Sequence, residues 1–157
     1  MKNETTLSAL GLMCRLIIGG IFLYAGFLKL TAPPEEFAAA IEAYKIIPPS
    51  MAIWVAHAAS WSEIYLGMFL VAGFFTRLSS MALGSMLAFF MLALTSTLLR
   101  KIKLLDCGCF GSGGGRTAPS AILEDIVLLL ITIMAFRYGD RLLAIDTWIN
   151  KSPKESK

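Results

Sequence analysis

The sequence predicts an all-α integral membrane protein, a four-transmembrane-helix bundle with a short amphipathic helix between spans one and two. Three observations lead there. Of the 157 residues, 57% are hydrophobic and only 16% are charged, whereas a soluble domain carries about a quarter charged residues. Mean hydropathy is +0.71. Four apolar stretches approach the roughly 20 residues that a helix needs to cross a bilayer core of about 30 Å. The length fits a single membrane domain over residues 1–157.

Taken in order, the segment Met1 to Leu10 has Glu4 as well as Lys2, and no Ala-x-Ala site follows the first apolar run. That run is therefore read as a retained helix and not as a cleaved leader. Span one covers about residues 9–30, with Arg15 near its start and Lys29 at its end. Both cations sit where a long side chain can snorkel to the interface. Pro33-Pro34-Glu35-Glu36-Phe37 follows. Pro34 suits a helix start, and Glu35 and Glu36 suit the positive end of its dipole. Phe37, Ile41 and Tyr44 share one face before Pro48-Pro49 ends the segment. The expectation is a short helix lying on the membrane or capping the bundle.

Span two covers about residues 51–75 and contains His57 and Glu63. Trp54, His57 and Trp61 fall on one face, while Glu63 points elsewhere, nearer Ser60 and Gly67. Span three, about residues 78–99, carries no charge. Span four, about residues 120–136, opens with Glu124 and Asp125, read as complements of its N-terminal dipole. A basic tail occupies residues 137–157. Small residues in the spans (Gly19, Gly20, Gly26, Ala56, Ser60, Gly84) permit close helix contact.

An even number of spans puts both termini on one side. With the termini in the cytoplasm, that side holds eight of the 14 Lys and Arg residues and the other side six. The bias points to cytoplasmic termini in an inner membrane. The loop between spans three and four is then extracytoplasmic. No basic–aromatic interleaving accompanies the charges, which argues against a nucleic-acid surface.

That loop carries the most specific feature of the chain, Asp106-Cys107-Gly108-Cys109-Phe110-Gly111. Two of the three cysteines stand one residue apart. They can close a disulfide only if the backbone between them bends sharply, which Gly108 permits. A small strained ring is easily reduced, so the pair suits exchange more than stapling. Lys101, Lys103 and Arg116 favour the nucleophilic thiolate, and Asp106 opposes it or accepts a proton. The rival chemistry is a soft ion such as Cu(I) held by Cys107 and Cys109. Cys14, in span one, reads as a small apolar packing residue. His57 reads as an interfacial hydrogen-bonding group and not as a metal ligand.

Glu63 lies near the middle of its span and must be neutral or paired with a cation, Arg15 or Lys29. A structural ion pair between spans one and two is one expectation. The other is a proton relay or a polar wall for a bound quinone, with Glu63, Arg15 or Lys29 lining or bracing the cavity.

These residues also carry a resemblance. Arg15, Gly19, Phe22-Leu23-Tyr24-Ala25-Gly26 and Lys29-Leu30 resemble the first span of DoxX-like membrane proteins. Phe37-Ala38, Ile41, Tyr44 and Pro48 resemble their first loop, and Trp61-Ser62-Glu63 with Leu66-Gly67 their second span. Asp106 to Gly111 resembles the signature of the MauE branch, the methylamine utilisation membrane proteins. The resemblance implies four spans, a thioredoxin-like extracytoplasmic partner, and a part in maturing the disulfide-rich subunit of methylamine dehydrogenase. The layout is also similar to that of the quinone-linked disulfide oxidases of the vitamin K epoxide reductase type. Those use Cys-x-x-Cys and a second loop pair, which this chain lacks.

The function expected is a membrane thiol–disulfide redox protein. Its site residues are Cys107 and Cys109, supported by Asp106, with a quinone as candidate electron acceptor. The alternatives are a Cu(I)-binding membrane protein and a non-redox accessory subunit of a membrane oxidoreductase complex.

Overall fold

A computed structural model describes residues 2–101 and 118–139. These form five helices: α1 (Lys2–Thr31), α2 (Pro34–Ala43), α3 (Pro49–Ala72), α4 (Thr76–Leu99) and α5 (Ala118–Tyr138). The four long helices stand in a ring in which α1 touches α3 and α5, and α4 touches α3 and α5. Each runs opposite to its neighbours. The short α2 lies against α3 at the end of the bundle where α1 stops.

The local sequence explains each boundary. Pro34 and Pro49 occupy the first turns of α2 and α3, where no backbone N–H is needed. Gly73 ends α3 in the left-handed conformation, φ 72°, and its N–H bonds to Leu70 O at 3.2 Å. Three residues later α4 begins. The expected amphipathic helix is present: Phe37, Ile41 and Tyr44 are all buried, against Ala52 and Ala56 of α3 and Ala93 and Leu94 of α4. It stops sooner than Pro48, with Tyr44 as its C-cap.

The helices are apolar on the outside. Leu10, Ile17, Tyr24 and Phe27 of α1, Leu78, Phe89 and Leu92 of α4, and Leu123, Val127 and Leu130 of α5 are all exposed. So much outward apolar surface belongs in lipid. Among the described residues, three helices are long and apolar enough to cross a membrane, over Thr6–Thr31, Thr76–Leu99 and Pro119–Tyr138. The expected second span is not among them. α3 is as long as α4, at 24 residues, but carries His57, Ser60, Ser62 and Glu63. Its polar side is turned inward: Ser60, Glu63 and Gly67 are buried, while Trp54, Trp61 and Tyr65 are exposed.

Small residues set the seam between α1 and α3. A Cβ on Gly67 would stand 2.9 Å from Gly19 O and 3.0 Å from Leu23 N. One on Gly19 would stand 3.0 Å from Gly67 O. Gly20, by contrast, has nothing within 4 Å of its Cβ position. Ile18, Phe22, Leu70, Leu83, Leu87 and Ala135 fill the centre of the ring. Buried hydroxyls bond within their own helices: Ser60 donates to Ala56 O at 2.9 Å, and Ser80 donates to Thr76 O at 2.7 Å.

The Gly19–Gly67 approach makes a prediction. Gly67→Val forces α1 and α3 apart and lowers stability by about 1–3 kcal/mol, the usual cost of overpacking. Gly20→Val leaves stability unchanged. Unfolding of the purified protein in mixed micelles distinguishes the two.

Candidate functional site

The bundle end covered by α2 contains a charged pocket. Its geometry starts at Gly26 on α1. A Cβ there would stand 2.8 Å from Ile64 Cγ1, 3.0 Å from Ser60 O and 3.1 Å from Glu63 Cβ. With no side chain at Gly26, α1 and α3 meet closely, and Lys29, one turn further on, reaches Glu63. The Lys29 Nζ donates to Glu63 Oε1 at 2.5 Å. Lys29 is 4% exposed and Glu63 2%. Phe37 and Phe90 flank the ammonium, with ring centroids 4.7 and 5.8 Å from Nζ. Those ring faces offset part of the cost of taking the charge out of water.

Asp125 of α5 completes the pocket. It is 4% exposed and lines, with Lys29, Glu63, Phe22, Leu87 and Phe90, a space of about 30 Å³. That is room for a water molecule, which needs about 10–15 Å³. Two carboxyl oxygens there, Glu63 Oε2 and Asp125 Oδ2, are buried and accept no hydrogen bond from the described residues. Lys29 also lines a second, outer pocket of about 50 Å³ with Ala56, His57, Ser60 and Pro34. A third pocket, apolar and about 150 Å³, lies between α2, α3 and α4. Phe37 and Phe90 line it together with Tyr44 and Met86.

Of the two cations expected to partner Glu63, the structure brings only Lys29 to it. Lys29 does not snorkel, because Glu63 and the two rings hold it inside. Arg15 lies toward the other end of the bundle, 2% exposed, and its Nη1 donates to Gly139 O at 3.0 Å, beyond the end of α5. Of the three residues expected to line or brace a cavity, Lys29 and Glu63 stand together and Arg15 stands apart. His57 is exposed and its Nδ1 lies 2.9 Å from Ile53 O, as an interfacial group would. Cys14 is half-buried and packs against the central core. Cys107, Cys109 and Asp106 lie outside the described residues, as do residues 140–157 of the tail.

Asp125 was expected to complement the N-terminal dipole of its helix together with Glu124. The two do not act alike. Neither lies in the first turn of α5, and only Glu124 is exposed. A signal for this exists in the sequence. Ala121, Asp125, Thr132, Ala135 and Gly139 recur at helical spacing on an otherwise Leu- and Ile-rich helix, and all are buried. A stripe of small and polar residues on a lipid-embedded helix marks its inward face.

Among the described residues, no three His, Cys, Asp or Glu side chains stand together in a way that could hold a metal ion. The family of the methylamine utilisation protein MauE matches residues 7–138, a span that includes the whole pocket and the Cys-Gly-Cys motif. The chain belongs to the MauE family. No curated protein and no solved structure matches it. Membership in the MauE family, together with the three apolar helices, makes this a multi-pass membrane protein of the methylamine-utilisation accessory type.

Breaking the buried pair has an asymmetric outcome. Lys29→Met leaves two carboxyl groups without their cation and destabilises the bundle by about 3–5 kcal/mol, the range for a buried pair that loses one partner. Glu63→Gln costs less, because Asp125 lines the same pocket and can serve Lys29 as counter-ion. Thermal unfolding of both variants in one detergent checks the order.

Proposed function

We propose that this MauE-family protein is a membrane thiol–disulfide redox protein. Cys107 and Cys109 exchange a disulfide with a thioredoxin-like partner on the extracytoplasmic side, in the maturation of disulfide-containing proteins of methylamine utilisation. The observation that carries this reading is Asp106-Cys107-Gly108-Cys109-Phe110-Gly111, in the segment joining α4 to α5 of a chain whose other features are those of a lipid-embedded bundle. The helices at either end of that segment meet beside α2, where Leu94 and Ala121 pack with Tyr44. The cysteine-bearing segment thus springs from the same end of the bundle as the Lys29–Glu63 pocket.

In each exchange a thiolate attacks a disulfide sulfur of the partner or is itself released by one. One S–S bond forms as another breaks, through a mixed disulfide, and two electrons and two protons pass between the pairs. Asp106 supports the cysteines as a proton acceptor. Kinship with DoxX-like proteins, an inner-membrane location, and cytoplasmic termini belong to the same reading. So does a fourth span formed by α3, whose 24 residues extend roughly 36 Å at 1.5 Å each. Its aromatic outer face suits lipid, and its buried Ser60 and Glu63 face α1.

A membrane acceptor completes the reading. When bound, a quinone supplies a sink for two electrons and two protons. The apolar pocket of about 150 Å³ has the size of a cavity that admits a six-membered ring. Phe37, Tyr44 and Phe90 would hold the ring, with Lys29 behind the two phenylalanines. Arg15 has no part there.

The deciding experiment is thiol alkylation of Cys107 and Cys109 in membranes equilibrated with defined thiol/disulfide buffers. The expected result is an intramolecular disulfide with a midpoint well above about −270 mV, the thioredoxin value. Cys107→Ser and Cys109→Ser each abolish exchange with a thioredoxin-like protein and leave the bundle folded. Retained exchange in both variants refutes the proposal. A pair that stays reduced but is shielded from alkylation by Cu(I) transfers the motif to soft-metal binding. Cysteines dispensable on both counts leave the accessory-subunit reading.

A further inference from the structure

Lys29, Glu63 and Asp125 come from three different helices and share one pocket, yet their charges do not balance. One cation faces two acids. With both carboxyls ionised the pocket carries a net negative charge inside the membrane, and an uncompensated buried charge costs several kcal/mol. With one proton added, the group is neutral. The remaining carboxylate keeps the ion pair with Lys29, and the protonated carboxyl becomes a donor. The two carboxyl oxygens that accept no hydrogen bond from the described residues, Glu63 Oε2 and Asp125 Oδ2, both belong to this pocket.

Among the described residues, the surroundings provide no other counter-charge. From α4 the pocket receives Met86, Leu87 and Phe90, and from α1 Phe22 beside Lys29. Glu124, next to Asp125 on α5, is exposed and adds negative charge. On α3, His57 lines the outer pocket and not the inner one. Arg15 is engaged with Gly139 toward the other end of the bundle.

We propose that the Glu63–Asp125 pair is a proton-binding site that holds one proton at neutral pH and exchanges it with water through the outer pocket lined by Lys29, His57 and Ser60. The proton belongs to the pair and not to either residue, as in any strongly coupled couple of acids. Lys29 lines both pockets, so its side chain stands beside the inner space and the outer one. The bundle then has a protonatable group within it whether or not the cysteines are redox-active. This inference does not rest on the thiol reading.

Infrared spectroscopy of the purified full chain tests it, because a protonated carboxyl has a C=O band that ionised carboxylates lack. Solvent-exposed acids are ionised at neutral pH and do not contribute. The expected spectrum shows one carboxylic acid per chain, with a band that shifts on transfer to D2O. Asp125→Asn removes the band, since Glu63 alone pairs with Lys29 as a carboxylate. Glu63→Gln removes it as well, since Asp125 takes that place. Lys29→Met doubles the band if the variant folds. Asp125→Asn is close to isosteric and keeps the Lys29–Glu63 pair, so it supplies the test if Lys29→Met fails. A wild-type spectrum without the band, a band that survives Asp125→Asn, or a band that does not shift in D2O overturns the proposal.

Discussion

The Lys29–Glu63 ion pair is the constraint on which the arrangement of this bundle depends. Inside a membrane, helices gain no hydrophobic energy by meeting, because lipid is as apolar as leucine. Close packing and polar contacts must hold them. Two charges taken from water cost several kcal/mol each, and a contact at 2.5 Å recovers this only if nothing keeps the partners apart. Gly26 lets the backbones meet at the level of the pair, and Gly19 and Gly67 do so two turns away. The glycine seam and the ion pair require each other. Substitution in the seam would lengthen the contact, and loss of the contact would leave the seam with little to hold it closed. α2 depends on both, since Phe37 rests against the Lys29 ammonium on one side and the start of α3 on the other.

The other polar groups of the bundle follow the same logic at lower stakes. Side-chain hydroxyls on α3, α4 and α5 return to carbonyls one turn back in their own helices, which satisfies them without a partner helix. A carboxylate has no such recourse, because it is only an acceptor and the helix offers it no donor. Glu63 and Asp125 must therefore find partners on other helices or carry a proton. This difference between hydroxyl and carboxyl concentrates the chemistry of the bundle in one pocket.

Much of the architecture was legible in the sequence because apolar runs, prolines and helix-period aromatics are local signals. Phe37, Ile41 and Tyr44 gave the buried face of α2, and Pro34 gave its start. Trp54, His57 and Trp61 against Ser60, Glu63 and Gly67 gave the two faces of α3. The choice of cation for Glu63 was not legible. Arg15 and Lys29 both lie on α1, and only the register of α1 against α3, set by Gly26, excludes Arg15. Asp125 was obscured for a different reason. Its helix is apolar nearly all round, so hydropathy does not distinguish its lipid face, and the adjacent Glu124 suggested a shared role at the helix start. The cysteine motif was the plainest signal in the chain, yet it lies outside the described residues.

Arg15 and Gly139 are 124 residues apart, and their hydrogen bond joins the first helix to the end of the last. A Cβ on Gly11 would collide with the Tyr138 backbone, so α1 and α5 also touch closely there. The order of synthesis gives this contact a consequence. While the ribosome is still making α3 and α4, the carbonyl that receives the Arg15 guanidinium does not yet exist. Until the last helix is in place, this contact between α1 and α5 has no acceptor on the α5 side. Closure of the ring is thus a late event in biogenesis.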